Sequence, residues 1–159
     1  MTKRFLAVLI LAAYSAILIK VMVFKDVPVI RFGGMMFKFG GTHTTGRSNF
    51  VPFKAVLWYL LGKQGLVIGG INLIGNIVLL VPVGLLAPFV FRNMTWKHSL
   101  AVAVAAGLII EGMQVVLQVG IFDIDDVILN GLGVMIGYWI STLFLKWRDT
   151  RQQTRMAVG

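Results

Sequence analysis

Long apolar runs separated by short polar stretches make up most of this chain of 159 residues. A helix needs about 20 apolar residues to cross the hydrocarbon core of a bilayer. Four runs reach that length, at residues 5–24, 66–91, 100–119 and 126–145. The pattern therefore predicts an all-α integral membrane protein with four transmembrane helices, organised as a single membrane domain over residues 1–159.

The first run has an alternative interpretation as a cleaved signal peptide, because Ala13 and Ser15 are small residues of the kind found at cleavage sites. The apolar run continues past them to Phe24, and Lys20 is long enough to extend its amine to the membrane surface. We therefore favour an uncleaved helix.

The segment between the first two runs, residues 25–65, is too polar to span. Residues 29–32 and 35–39 flank Gly33 and Gly34, which predicts a short hairpin with a tight turn. Farther along, Phe53, Leu57 and Leu60 share one helical face in a stretch that is too short to cross a bilayer. This spacing predicts an interfacial or re-entrant helix.

The amino-acid composition also indicates a membrane protein. Hydrophobic residues make up 58% and charged residues 13% of the chain, whereas soluble domains are about half apolar and a quarter charged. The absence of cysteine excludes disulfides and thiolate metal sites. The net charge of +9 would suggest a nucleic-acid partner in a soluble protein. Here the basic residues flank apolar runs, without a basic helix or aromatic stacking motif, so no nucleic-acid partner is predicted.

The distribution of charge predicts the orientation. Basic residues cluster before the first run, between the second and third, and after the fourth; they include Lys3, Arg4, Arg92, Lys97, Lys146, Arg148, Arg151 and Arg155. The positive-inside rule then places both termini in the cytoplasm. Residues 25–65 and the acidic turn, residues 120–126, face outward. Six cations in residues 25–65 oppose the rule, so the even number of spans and the acidic turn decide the orientation. The charged tail after Trp147 is expected to be frayed.

Four of the six acidic residues lie between Lys97 and Lys146, a stretch without lysine or arginine. Ionised carboxylates in apolar surroundings are unfavourable unless they are hydrated or paired. Glu111 lies on one face of the third run with Gln114 and Gln118, which predicts a polar stripe toward the bundle interior. Glu111 is the deepest ionisable group and the candidate catalytic residue. The alternative is that it only fixes helix packing.

Asp123, Asp125 and Asp126 precede the fourth run and have several interpretations. Aspartates at a helix N-terminus cap free amides and complement the helix dipole. Three alternatives are that these carboxylates form ion pairs with the basic residues 25–65, that they bind the polar head of a ligand, or that they coordinate a divalent cation. The oxygen-rich spacing of a calcium loop is absent, so no resident cofactor is predicted and a divalent cation is the weaker alternative.

Asparagines recur at helical spacing on two of the runs. Asn130 lies four residues after Asp126, and Asn72 and Asn76 are four apart on the second run. Such amides either join the second and fourth helices or line a polar cavity. Interhelical hydrogen bonds of this kind contribute about 0.6 to 2 kcal/mol. Pro82 removes a backbone donor and frees a carbonyl near Val78 or Leu79, and Gly133 and Gly137 permit close helix approach.

Three blocks of the sequence, at residues 49–53, 71–84 and 111–130, resemble the VanZ-like family of bacterial membrane proteins, named for a teicoplanin-resistance protein. Residues 49–53 (Asn-Phe-Val-Pro-Phe) are similar to its Asn-x-x-Pro-Phe element. Residues 71–77, followed by the Pro-Val-Gly of residues 82–84, are similar to its Asn-x-x-Gly-Asn and Pro-x-Gly helix. Glu111 and Gln114, followed by residues 122–130, are similar to its Glu-x-x-Gln and Phe-Asp-Ile-Asp-Asp signature.

The resemblance implies a multi-pass protein of the bacterial cytoplasmic membrane with a role in the cell envelope. Some members lower sensitivity to glycopeptide or lipoglycopeptide antibiotics. One position departs from the family pattern, because Gly120 stands where family members commonly carry an arginine. Arg47 or another cation of residues 25–65 would have to replace it in space.

The leading functional hypothesis is an outward-facing polar pocket that binds a phosphate-bearing lipid, either an anionic membrane lipid or a cell-wall lipid intermediate. The predicted ligand-binding residues are Asn49, Asn72, Asn76, Glu111, Gln114, Asp123, Asp126 and Asn130. The alternatives are a metal-dependent enzyme acting on an envelope lipid, a proton or ion pathway through Glu111, and a structural partner of another envelope protein.

Overall fold

The structure, a computed structural model, describes residues 2–23, 30–32, 35–37, 48–61, 66–91 and 93–158. Side chains are described at residues 4–23, 48–61, 70, 73–91 and 93–154. The elements, in chain order, are α1 (Thr2–Val23), β1 (Ile30–Phe32), β2 (Met35–Phe37), α2 (Lys54–Leu60), α3 (Leu66–Val90), α4 (Trp96–Val116) and α5 (Ile124–Val158).

Four of these helices are long and apolar enough to cross a membrane: α1, α3, α4 and α5. This confirms the predicted number of spans. The hairpin is also confirmed, because β1 and β2 pair antiparallel with Ile30 opposite Phe37 and Phe32 opposite Met35. Each strand is three residues long, shorter than the sequence pattern predicted. Gly33 and Gly34, the predicted turn, lie outside the described residues.

The boundaries of α4 differ from the predicted span of residues 100–119. The helix begins at Trp96 because the Thr95 side chain accepts a hydrogen bond from the His98 amide at 3.4 Å. It ends at Val116 because Gln118 takes a left-handed conformation with φ of 55°. The amides of Gln118 and Val119 then donate to earlier carbonyls, a Schellman arrangement that closes a helix. Gln118 is therefore exposed, and its predicted place on the polar stripe is wrong.

The fourth span also differs, since α5 covers residues 124–158 where residues 126–145 were predicted. It begins at Ile124 because the Asp123 side chain accepts a hydrogen bond from the Asp125 amide at 2.9 Å. It continues through the charged tail, where the Arg151 guanidinium lies 4.0 Å from the centre of the Trp147 ring. No glycine or proline follows Trp147 before Gly159. The expectation of a frayed tail after Trp147 is therefore wrong.

Helices α3 and α5 run in the same direction and touch backbone to backbone. A Cβ atom added at Gly133 would lie 2.1 Å from the Ile77 carbonyl oxygen, and one at Gly137 would lie 2.0 Å from the Val81 oxygen. Neither distance is compatible with a side chain. Glycine at these positions lets the backbones approach, which is how helices associate in a medium as apolar as their own side chains. The predicted close approach at Gly133 and Gly137 is confirmed.

The core lies where α1, α3, α4 and α5 converge, and α4 runs antiparallel to α5. The buried side chains of this core are Leu18, Met22, Val23, Leu80, Ala103, Ile110 and Val134. Gly107 of α4 faces Val127 of α5, where an added Cβ would lie 3.0 Å from a Val127 methyl group. Glu111, one turn farther along α4, consequently reaches the start of α5.

A tyrosine hydroxyl group donates a hydrogen bond to a backbone carbonyl close to Pro82, one of the two prolines of α3. The Tyr14 hydroxyl donates to the Leu79 carbonyl oxygen at 2.7 Å, three residues before Pro82. Replacing Tyr14 with phenylalanine is expected to lower the free energy of unfolding by about 0.6 to 2 kcal/mol, the usual contribution of such bonds in membranes. Thermal unfolding in detergent measures the change. Tyr138→Phe is the control, because its hydroxyl lies 3.4 Å from the Met94 oxygen and a smaller loss is expected. Equal losses in both variants would contradict the assignment.

Candidate functional site

The acidic turn and the chain at residues 48–61 form one unit at the end of the bundle where α4 ends and α5 begins. We call this the acidic end. Asn49 forms an isolated parallel bridge with Asp123, in which the Asn49 amide donates to Phe122 at 2.8 Å and the Ile124 amide donates to Asn49 at 3.0 Å. The rings of Phe50 and Phe122 stack above it, with centroids 5.1 Å apart. A segment more than 70 residues distant in sequence is thereby fixed to the start of α5.

Three of the predicted site residues meet around the Asp123 carboxylate and amide. The Asp123 Oδ1 atom accepts from the Asn49 side-chain amide at 2.9 Å. The Glu111 Oε2 atom accepts from the backbone amide of Asp123 at 2.8 Å. Glu111 is 1% exposed, and its carboxylate lies under the turn. The structure therefore brings Asn49, Glu111 and Asp123 together, with Asp123 bonded to each of the other two.

Asp125 has a role that the sequence analysis did not assign to it. Its carboxylate is 1% exposed and accepts hydrogen bonds from the amides of Phe53 at 2.5 Å, Ala55 at 2.7 Å and Val56 at 3.2 Å. These are free donors at the start of α2, whose own N-cap residue, Phe53, makes no side-chain cap. A residue of α5 thus caps a helix elsewhere in the chain. One feature of the sequence indicated that α2 needs a cap from elsewhere: this short helix begins without a serine, threonine, asparagine or aspartate of its own.

Asp126 links α5 to α3. The Asn76 side-chain amide donates to its Oδ1 atom at 2.6 Å. Asn76 and Asp126 are both partly exposed, so this pair lies between the buried helix interface and the surface of the acidic end. The sequence left open whether the asparagines of the second and fourth runs join these helices or line a polar cavity. The observed partner of Asn76 on the fourth helix is Asp126, one turn before Asn130.

Gln114 faces a different neighbour from the other predicted residues. Its side-chain nitrogen donates to the Met22 carbonyl oxygen at 2.8 Å, which joins α4 to the last turn of α1. A Cβ atom added at Gly120 would lie 2.8 Å from the Gln114 Oε1 atom. The glycine therefore leaves the space that the Gln114 amide occupies. Gly120, the position where the family resemblance led us to expect an arginine, therefore lies against the Gln114 side chain.

Asn130 is completely buried, and neither its side-chain oxygen nor its nitrogen has a hydrogen-bond partner within the described part of the chain. A buried amide without a partner destabilises a protein by about 1 to 3 kcal/mol. Water or a polar group of a ligand would relieve that cost. The side chain of Asn72, the remaining predicted residue, lies outside the described residues.

The three aspartates of the acidic turn do not point at a common centre. Asp123 accepts from Asn49, Asp125 from the start of α2, and Asp126 from Asn76. Among the side chains that the structure describes, no three His, Cys, Asp or Glu residues are placed to hold a metal ion. This geometry gives no support to a divalent cation at Asp123, Asp125 and Asp126.

Polar and apolar groups lie side by side at the acidic end. Asn49, Asn76, Asp123 and Asp126 are partly exposed. Beside them, exposed apolar side chains run along the chain from residue 50 to residue 61; they are Phe50, Val51, Phe53, Leu57, Leu60 and Leu61. Carboxylate and amide oxygens accept hydrogen bonds from hydroxyl or amide donors, while the apolar side chains contact hydrocarbon. The arrangement suits a molecule that is polar at one end and apolar at the other.

A protein-family model described as VanZ/LLP1 matches residues 6–145, which extend from α1 into α5. No curated protein and no solved structure matches the chain. The blocks described above, from Asn49 to Asn130, all lie within the matched residues.

Proposed function

The chain belongs to the VanZ/LLP1 family, and we propose that it is a multi-pass protein of the bacterial cytoplasmic membrane that binds a phosphate-bearing envelope lipid at its acidic end. A lipid-linked cell-wall intermediate is the favoured ligand, because it combines phosphate, sugar hydroxyl groups and a long hydrocarbon chain. In this proposal the acidic end faces outward, and both termini lie in the cytoplasm, as the clustering of basic residues between and after the spans favours.

The observation that carries the proposal is that the partly exposed polar residues Asn49 and Asp123 lie beside the exposed apolar side chains of residues 50–61. Phe50 is 69% and Leu61 73% exposed, which is unfavourable in water and favourable against acyl chains. A lipid whose hydrocarbon follows these side chains would bring its head group to Asp123 and Asp126. Their oxygens would accept hydrogen bonds from sugar hydroxyl groups.

The phosphate requires cations, and the segment before α3 supplies them in sequence. Lys54 is exposed at the first residue of α2. Five further cations, Lys25, Arg31, Lys38, Arg47 and Lys63, belong to the part of the chain whose side chains are not described. Such clusters attract anionic lipid head groups by about 1 kcal/mol per charge near a membrane surface.

Glu111 is a positioning residue in this proposal. It is buried and holds the acidic turn through the Asp123 amide, so it sets the place of the carboxylates that meet the ligand. The proposed consequence for the cell follows from the family resemblance. Glycopeptide and lipoglycopeptide antibiotics such as teicoplanin act on the cell envelope. In this proposal, a protein that binds a cell-wall intermediate lowers the amount of that intermediate that is accessible to these antibiotics.

Replacing Asp126 with asparagine tests the proposal, since the variant keeps an oxygen for Asn76 and loses the charge. The probe is a polyprenyl-pyrophosphate-linked amino sugar in phosphatidylcholine nanodiscs that contain the purified protein. Binding is expected to weaken about tenfold, which corresponds to the loss of about 1.4 kcal/mol. The control is Asp149→Asn, because Asp149 is an exposed residue of the α5 tail paired with Arg148.

Glu111→Gln provides the second measurement, with the amount of protein in the membrane checked first. It is expected to weaken binding of the same probe and to raise the antibiotic sensitivity of cells that express the protein. If both variants bind the probe as the unmodified protein does and sensitivity is unchanged, the proposed function is wrong.

A further inference from the structure

A groove of about 400 Å³ opens at the other end of the bundle, where α1 and α4 begin and α3 ends. We call this the basic end. The residues that line the groove are Arg4, Phe91, Asn93, Met94, His98 and Val102. None of them belongs to the acidic end, so the groove is separate from the site already proposed.

The polar wall of the groove carries Arg4 and His98, and a hydrogen bond holds each side chain in place. The Arg4 Nε atom donates to the Val90 carbonyl oxygen at 3.0 Å, which fixes the guanidinium at the last turn of α3. Its terminal nitrogens have no partner within the described part of the protein. The His98 Nδ1 atom lies 3.1 Å from the Thr95 hydroxyl, an arrangement that orients the imidazole ring.

The opposite wall is apolar and accessible. Phe91 is 50% exposed and Val102 is 36% exposed, and both contribute to the groove. A cationic wall beside an apolar wall matches an amphiphile with a negative head. Free phosphate would use only the first of these walls.

The described lysine and arginine in and beside the groove, Lys97 and Arg4, are both exposed. Lys97 lies next to His98 in sequence and packs 5.7 Å from the centre of the Trp96 ring. Among the described acidic residues, Glu111, Asp123, Asp125 and Asp126 lie at or near the acidic end, and Asp149 lies 3.5 Å from Arg148 on the tail of α5. Trp96 is 53% exposed at the start of α4, as is typical of a tryptophan at a membrane–water interface.

We propose that this groove binds the phosphate head group of an anionic glycerophospholipid from the surrounding membrane. The Arg4 guanidinium and the His98 ring contact the phosphate, and an acyl chain packs against Phe91 and Val102. The lipid joins the start of α1 to the start of α4, which the described hydrogen bonds do not connect directly.

Native mass spectrometry of the detergent-solubilised protein tests the proposal. The protein is exchanged with phosphatidylglycerol or phosphatidylcholine, and the retained lipid is counted. Arg4→Gln is expected to reduce retention of phosphatidylglycerol about fivefold, equivalent to about 1 kcal/mol for one cation near a head group. Lys97→Gln is the matched control, because Lys97 is a neighbouring exposed cation that does not line the groove. Excess inorganic phosphate is expected not to displace the lipid.

Arg4→Gln also removes the hydrogen bond to Val90, so a second variant separates binding from folding. Val102→Trp fills the groove and leaves every cation in place. It is expected to reduce phosphatidylglycerol retention with an unchanged unfolding temperature. Equal loss of lipid in Lys97→Gln, full displacement by phosphate, or unchanged retention in Arg4→Gln and Val102→Trp would each overturn the proposal. Asp126→Asn is expected to retain phosphatidylglycerol normally, which keeps this result independent of the acidic end.

Discussion

Replacing Asp125 with alanine is expected to release α2 from the start of α5 and to lower the free energy of unfolding by more than about 3 kcal/mol. The carboxylate is buried and accepts hydrogen bonds from three backbone amides, those of Phe53, Ala55 and Val56. Alanine leaves all three donors without an acceptor at the start of a helix of seven residues. A helix this short does not persist in water without tertiary contacts.

Hydrogen exchange of the purified protein in detergent measures the release of α2. The amides of Phe53, Ala55 and Val56 are expected to lose protection in Asp125→Ala, while amides in the middle of α4 and α5 keep theirs. Asp149→Ala is the matched control, since it removes an exposed carboxylate from the same helix. Asp125→Asn is expected to fall between the two, because its oxygen accepts and its NH2 group opposes the remaining donors. Full protection at residues 53–56 in Asp125→Ala would contradict the capping role.

The same variant connects stability to the proposed function. Phe50 and the apolar side chains from residue 51 to residue 61 are positioned by the pairing of Asn49 with Asp123 and by the Asp125 cap. Loss of the cap is therefore expected to weaken binding of the polyprenyl lipid more than Asp126→Asn does. The groove at the basic end is distant from α2, so phosphatidylglycerol retention is expected to stay near that of the unmodified protein.

Replacing Gly137 with alanine is the second large effect we expect, with a loss of about 1 to 3 kcal/mol from overpacking. The added methyl group would stand 2.0 Å from the Val81 carbonyl oxygen and 2.7 Å from the Leu85 nitrogen. Both atoms belong to the backbone of α3, so the clash is relieved only if the two helices move apart. Such a movement would also strain the hydrogen bond between Asn76 and Asp126 at the acidic end.

Gly131 offers a matched control on the same helix, because a Cβ added there meets nothing within 4 Å. Gly131→Ala is expected to be neutral or to stabilise α5 by up to about 1 kcal/mol, the difference in helix propensity between the two residues. Thermal unfolding in detergent, followed by tryptophan fluorescence, compares the variants. A Gly137→Ala protein as stable as Gly131→Ala would show that the close contact between α3 and α5 is wrong.

The double variant Gly133→Ala, Gly137→Ala carries further information about this interface. Both glycines face α3, at Ile77 and Val81, and one outward movement of α5 relieves both clashes. The combined loss is therefore expected to be smaller than the sum of the single losses. Additive losses would indicate that each clash is relieved locally.

The candidate site could be predicted in part. Aspartates before an apolar run predict a helix cap, and Asp123 caps α5 as that pattern suggests. Their other partners were beyond prediction. The hydrogen bond between Asn49 and Asp123 depends on where a distant non-helical segment meets the acidic turn, and that between Asn76 and Asp126 on which helix faces meet. Gln114 illustrates the limit. It shares a helical face with Glu111, yet its amide bonds to Met22 of α1, since neighbouring positions on one face can contact different helices.

The sequence by itself determined the class of this protein, the four apolar helices and the small hairpin, because hydropathy and turn preference are local properties of the chain. It also determined where acidic and basic residues are found along it. Only the tertiary structure decided that Asp125 caps a helix about 70 residues away and that α3 is the helix against which Gly133 and Gly137 pack. Those contacts depend on the packing of helices in three dimensions, where a few ångströms between backbones select the partner of every buried carboxylate and amide.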